Sequence, residues 1–302
     1  MSSFARLSGP MQGIVAMVTA TALFCCGDAM MKLASAKLPT SETMFFRSLT
    51  SAILVLSFAW ATGALVELRR AWSRAMGLRA TGDVVASLLF QAALGRMYFA
   101  DLMAVLQIGP LTLTAGSALF LGEKVGWRRW SAVAAGLFGA LLIIKPGTNA
   151  FTWWAIVAVV SVVFAALRDI STRRIDPLLP TTVILGLSAV AVTIVSLAGC
   201  LIEVWHWPDG PTLAKLLGAG VCSMLGQVCV ITSVRAAEIS VVATFRYAGI
   251  VWALLLDLAI WAHVPDGLAL FGIAVVTIAG IYTFYRERVL QRRAASAAEV
   301  GR

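Results

Sequence analysis

Asp28, Lys32 and Arg47 are charged residues set inside apolar stretches, and Arg246 and Asp257 repeat the pattern toward the C-terminal end of the chain. An ionisable side chain at the centre of a membrane helix is disfavoured by at least roughly 2.5–3.5 kcal/mol, so each is a candidate for substrate binding, gating or proton transfer. Asp28 falls six residues before the expected end of its helix and Arg47 six after the start of the next. Both then lie roughly 9 Å below the same boundary of a hairpin. Lys32, at i+4 from Asp28, competes with Arg47 as its partner and can also extend outward along its stem. A structural bridge in either pairing and a substrate or proton role all fit this spacing. Arg246 and Asp257 are eleven residues apart, which places them on one face of an expected helix, separated by roughly 16 Å. With Tyr247 and Trp252 close by, Arg246 is the best candidate to hold an anionic or polar substrate group. The plainer alternative is an arginine reaching the inner interface from about 10 Å depth. Gln91, Gln107 and Gln227 either orient a ligand or join helices.

Other chemistries find little support. The five cysteines show neither CxxC nor metal-ligand spacing, so no metal site and no cofactor are expected. There is no Gly-x4-Gly-Lys-Ser/Thr sequence to bind a nucleotide. His206 and His263 are expected as interface residues rather than pH sensors, and Arg96 and Asp101 as a self-neutralising pair at a corner.

The elements that must position these residues follow from composition. The 302 residues are 60% hydrophobic and 13% charged, far from the roughly 25% charge of soluble domains. The chain belongs in a lipid bilayer. A net charge of +9 could suggest nucleic acid, but the basic residues are scattered through short connections between apolar runs, which excludes that partner. Ten segments approach the roughly 20 apolar residues a spanning helix needs: 12–34, 41–63, 83–99, 102–121, 129–145, 151–168, 180–203, 212–232, 239–261 and 266–285. The first is too long for a secretory core and carries Asp28 and Lys32, so it is expected to be retained. With a cytoplasmic N-terminus, 17 of the 24 Lys and Arg residues fall on the inner side, and both ends are cytoplasmic. Trp205, Trp207 and Trp261 then mark an outer aromatic belt, and Trp72, Trp127 and Trp130 an inner one. Small residues at helical spacing, Gly218, Cys222 and Gly226 or Gly272 and Gly280, allow close helix packing.

The stretch 28–40 returns at 169–181, both reading Asp-x3-Lys/Arg-x5-Leu-Pro-Thr, an offset of 141 residues. Leu121-Gly122-Glu123 precedes Lys145-Pro146 as Trp261-Ala262-His263 precedes Tyr285-Arg286, at an offset of 140. A duplicated half-chain of five helices is expected, and an odd number per copy inverts the second copy in the membrane. The resulting expectation is an all-α integral membrane fold of ten transmembrane helices in two inverted five-helix repeats, residues 12–146 and 151–286. Residues 1–11 and the basic tail 287–302 are expected in the cytoplasm. Because inversion exchanges the faces, Asp28 with Lys32 and Asp169 with Arg173 are candidates for alternately opening outer and inner gates. Ser188 stands near the repeat position of Arg47, an asymmetry that favours function for the arginine.

Several stretches together resemble the EamA family of the drug/metabolite transporter superfamily. They are Gly27-Asp28-Ala29 with Lys32, Phe45-Phe46-Arg47-Ser48-Leu49, Leu121 to Trp130 with Lys145-Pro146-Gly147, Ser240 to Tyr247, and Val264-Pro265-Asp266. The resemblance implies ten helices in two inverted repeats, a central cavity and transport of small organic molecules. Two departures matter: the second half reads Ala262-His263 where the family usually carries Gly-Glu, and the corner Tyr98 to Asp101 follows a third span of only 17 residues. That span covers about 25 Å, so an irregular corner or locally thinned bilayer is expected. The expected function is secondary active transport of a small organic metabolite or drug by alternating access in a bacterial-type inner membrane. Proton coupling could run through Asp28, Asp257 or Glu123, and the assembly is a monomer or homodimer. An integral-membrane enzyme on a lipid-linked substrate is the rival reading, and a channel the third. The enzyme lacks a cluster of carboxylates, His or Cys at one interface, and the channel lacks a polar stripe of full depth.

Overall fold

In hydrocarbon the backbone has no water to bond, so long apolar runs close their hydrogen bonds internally as helices. The structure is a computed structural model describing residues 9–120, 127–144, 152–172, 174–176, 178–236, 243–279, 281–282 and 285. Among these residues there are eleven helices and no strand. They are α1 (Gly9–Ser35), α2 (Thr40–Ala61), α3 (Arg74–Leu94), α4 (Phe99–Leu106), α5 (Gly109–Phe120), α6 (Trp127–Ile144), α7 (Trp153–Thr172), α8 (Thr181–Cys200), α9 (Gly210–Ala236), α10 (Ala248–Trp261) and α11 (Gly267–Ala279). Two 3-10 turns, Ala64–Ala71 and Ala243–Tyr247, precede α3 and α10. Five helices, α1, α2, α7, α8 and α9, are long and apolar enough to cross a bilayer. The described residues are all-helical, and the chain is a multi-pass membrane protein.

Three boundaries differ from expectation. The third span is not short: α3 has 21 residues and begins at Arg74, where the Ser73 side chain accepts the Met76 N–H at 3.1 Å. Arg79 and Asp83 lowered the apparent hydropathy of its first turns, and both are bonded to α7 instead of reaching water. The fourth span, expected unbroken over 102–121, is divided at Gln107–Ile108 into α4 and α5. Pro110 has no N–H to continue the ladder, and Gln107 and Ile108 donate only to Ala104 and Val105, both at 3.1 Å, in a tighter turn. The ninth span, expected as one helix over 239–261, enters α10 through the 3-10 turn at 243–247.

The helices pack as α1 on α9, α3 on α7 and α2 on α8, with α2 also on α9 and α3 also on α8. Glycines permit the closest approaches. A Cβ at Gly27 would stand 3.3 Å from the Ala219 carbonyl, and one at Gly82 would stand 3.1 Å from the Phe164 carbonyl. Gly139 and Gly272 bring α6 against α11, where a Cβ on either would stand 2.9 and 2.7 Å from the other's carbonyl oxygen. Gly226 faces Phe24 and Gly218 faces Met30, so the small-residue face of α9 is a packing face. The main apolar cluster gathers Met31, Leu94, Phe99, Leu102, Leu111, Leu216 and Val276. A smaller one, with Ala71, Met76, Ile175 and Val183, closes the opposite end.

Candidate functional site

At the end of the bundle expected to face outward, α1, the α3–α4 corner, α7, α10 and α11 surround a cleft of about 770 Å³. Lys32, Arg96, Tyr98, Asp101, Trp261 and His263 are among its lining residues. Lys32 lies in the last turn of α1 and donates to the Leu94 carbonyl at 3.1 Å and to that of Met97. The carbonyls at the end of a helix lack partners within it, and an ammonium there also meets the negative end of the dipole. The same ammonium lies 5.5 Å from the centre of the Trp261 ring.

The opposite wall is a carboxylate–imidazole pair. Ala262 adopts a left-handed conformation (φ 51°) that ends α10 and turns His263 back. His263 Nδ1 lies 2.7 Å from Asp257 Oδ2, and that oxygen also accepts the Ala100 N–H at 3.2 Å. Asp257 is 1% exposed. Tyr98 stacks flat on the imidazole, with centroids 3.7 Å apart and planes 2° from parallel. A buried carboxylate bonded to one nitrogen orients the ring and leaves Nε2 as its other polar atom, on a ring that lines the cleft. Arg96 stacks over Trp154 at 4.3 Å. The cleft thus combines aromatic walls, cationic groups and the carboxylates Asp101 and Asp266, and it suits a polar organic molecule better than a hydrocarbon.

Deeper in the bundle, Arg47 Nη2 lies 3.6 Å from Asp28 Oδ1, and Arg47 donates to Ser223 Oγ from Nε and Nη2 at 3.3 and 3.2 Å. This cluster ties α1, α2 and α9 together. At the other end, Arg168 donates to Asp169 at 2.9 Å and to Asp83 at 3.0 Å, while Arg79 donates to Thr172 at 2.9 Å, tying α3 to α7. A connection over 201–209 straps the expected outer end. Lys37 meets Asp209 at 2.9 Å, Ser41 N–H donates to Glu203 at 3.3 Å, and His206 N–H donates to the buried Glu42 at 2.7 Å. The hydrogen bond from Lys37, followed by that from Thr212, holds the Asp209 carboxyl down at about 2.

Of the residues singled out from the sequence, Asp28 and Arg47 are brought together, while Lys32 is committed to the end of α3. The expected common face of Arg246 and Asp257 dissolves, because Arg246 sits exposed on the 3-10 turn and Asp257 is bonded to His263 and Ala100. Tyr247 is buried, and Trp252 packs half-buried against the main core. Gln91 is 1% exposed and donates to Ser35 and Thr43 at 2.8 and 3.2 Å, a helix-joining role. Gln107 ends α4 beside Gly249, and Gln227 is half-buried on α9. Asp169 meets Arg168; its expected partner Arg173, like Glu123, lies outside the described residues. Ser223, Tyr98, His263, Arg168 and Asp83 were not chosen from the sequence. Only His263 carried a signal there, as the imidazole standing where a carboxylate was expected.

Residues 11–145 match the EamA-like transporter family. The chain is 28% identical over 276 residues to a pseudopaline exporter of Pseudomonas aeruginosa, covering 89% of this chain and 94% of that one. It is 27% identical over 291 residues to a riboflavin transporter of Vibrio cholerae, covering 94% and 96%. An S-adenosylmethionine uptake transporter of Rickettsia felis is 24% identical over 274 residues, covering 88% and 90%. A solved crystal structure of a protein at 18% identity superposes with a TM-score of 0.65 over 94% of this chain and 99% of that one, a likeness of fold.

Proposed function

We propose that this chain, a member of the EamA-like transporter family, is a secondary transporter that carries a polar organic metabolite across a bacterial-type inner membrane by alternating access. The observation that carries the reading is the pairing of two charge clusters at different depths. Asp28–Arg47–Ser223 ties α1 and α2 to α9, and Asp83–Arg168–Asp169 ties α3 to α7. Asp28 and Asp169 are the repeat partners of the sequence, so the α1–α9 and α3–α7 contacts are equivalents under inversion. Two five-helix repeats, 12–146 and 151–286, with both ends cytoplasmic, account for this; α4 and α5 together make the fourth span. Each cluster closes one face, and solute passes when one breaks while the other holds. The cleft beside Lys32 and His263 is the outer mouth. Arg47 and Arg246 remain the candidates for holding the solute, and Asp28 the candidate for proton coupling. Relatives named as transporters favour this reading over the membrane enzyme.

The test is flux in proteoliposomes after a thermal-shift screen of polar metabolites, since a bound ligand raises apparent stability. Saturable uptake with counterflow is expected, and Asp28→Asn should slow exchange at least about tenfold if a barrier of about 1.4 kcal/mol rests on that carboxylate. Flux that never saturates would indicate a channel, and turnover to a new product an enzyme. Unchanged exchange in Asp28→Asn and Asp169→Asn proteins would remove the gates.

A further inference from the structure

The segment joining α2 to α3 is anchored in the protein through Ala71 and leaves Val66, Leu68, Arg69 and Trp72 exposed. In the 3-10 turn over Ala64–Ala71 residues three apart eclipse one another, so Val66 and Arg69 form one exposed ridge, which Trp72, the extended residue that caps the turn, follows. Ala71 is 2% exposed and packs beside Met76, Ile175 and Val183. Val66 and Trp72 are 82% and 86% exposed, and Arg69 between them is exposed as well. Arg74, just beyond Trp72, is exposed too, while Arg70 is held by Glu67 at 3.0 Å. Leu178, 76% exposed, extends the apolar surface from the α7–α8 connection at the same end.

We propose that this ridge lies in the headgroup layer of the expected cytoplasmic leaflet and binds anionic phospholipid, with Arg69 and Arg74 on the phosphates and Trp72 and Val66 at the acyl boundary. The occupant is a lipid rather than a protein groove because the segment is bounded on both sides by membrane helices, α2 ending at Ala61 and α3 beginning at Arg74, which hold it at the bilayer surface. Exposed Trp60, one residue before the end of α2, marks the same level. Cationic side chains interleaved with apolar ones at a surface suit anionic headgroups, whose attraction falls off within a Debye length. A soluble partner would leave Val66 and Trp72 facing water in its absence.

Nanodiscs of phosphatidylcholine alone and of phosphatidylcholine with phosphatidylglycerol provide the test. Phosphatidylglycerol should raise the Tm of the full chain, and Arg69→Gln/Arg74→Gln should abolish that increment while leaving the Tm in phosphatidylcholine unchanged. High salt should shrink the increment in the parent protein. Brominated phosphatidylglycerol should quench tryptophan emission less in Trp72→Phe protein than in the parent. The same increment in parent and double variant would overturn the proposal, as would equal stabilisation by soluble glycerol phosphate. So would disulfide capture between two Val66→Cys chains in every lipid, which would give the ridge to a second copy.

Discussion

Asp257 shows how much a single buried carboxylate can organise. It joins the end of α10, the imidazole of His263 and the first turn of α4 through bonds of 2.7 and 3.2 Å. Asp257→Asn keeps the shape, weakens both bonds and removes the charge, so a loss of about 1–3 kcal/mol is expected, read as a lower Tm in detergent. His263→Phe should keep the stack on Tyr98 but strip the buried Asp257 of its imidazole partner, so it should lose at least as much stability as Asp257→Asn, while weakening ligand-induced stabilisation if Nε2 touches the solute. The strap carries its own pH signature. The folded Asp209 carboxyl is held below its ordinary 3.8, at about 2, so its contribution is complete above the ordinary value and disappears as the pH falls through that window. Lys37→Met should shrink that acid sensitivity, read between pH 4 and pH 2 as the change in Trp207 emission against a Trp207→Phe control. Asp209 is exposed, so only the pH dependence is informative.

At the scale of elements, the bundle depends on places where helix backbones nearly touch. Gly139 and Gly272 face each other so closely that a methyl on either would meet a carbonyl oxygen inside 3 Å. A backbone cannot rotate aside as a flexible side chain can. Gly139→Ala or Gly272→Ala should therefore separate α6 from α11 and lower stability by roughly 1–3 kcal/mol, whereas Gly77→Ala, with open space around it, should be neutral or mildly stabilising. Thermal unfolding of the three variants side by side checks this. The break between α4 and α5 follows similar logic, since Pro110 interrupts the ladder and leaves the two pieces free to point differently. Apolar runs revealed most helices to within a few residues. The start of α3 was concealed because Arg79 read as a loop residue, and only its partner Thr172 shows that it belongs inside.

For the whole molecule, the main helix pairings are α1 with α9, α3 with α7, and α2 with α8, the set that the proposed inversion would relate. The proposed pair of inverted five-helix repeats would put residues 35–40 and 201–209 on one face of the membrane and residues 62–73 and 178–180 on the other. Cysteines introduced at Lys37 and Arg70 should then react with impermeant reagents from opposite sides of oriented vesicles, and tags on both chain ends from the same side as Arg70. Tags on opposite sides would sink the ten-span topology. The cleft lies at the Lys32 end, and both the Asp28–Arg47–Ser223 and the Asp83–Arg168–Asp169 clusters are formed.

By itself the sequence determined the solvent, the helical class and the approximate spans, because hydropathy is a local sum over some twenty residues and lipid permits few alternatives. It also narrowed the intramembrane charges to a handful, since each is costly enough to stand out. Tertiary structure alone decided who pairs with whom. Arg47 chose Asp28 and Ser223, Lys32 the end of α3, Asp257 the imidazole of His263, and Arg168 two aspartates. Those choices depend on helix rotation and on crossings set by glycine contacts between residues far apart in the chain, and no spacing along one segment encodes them.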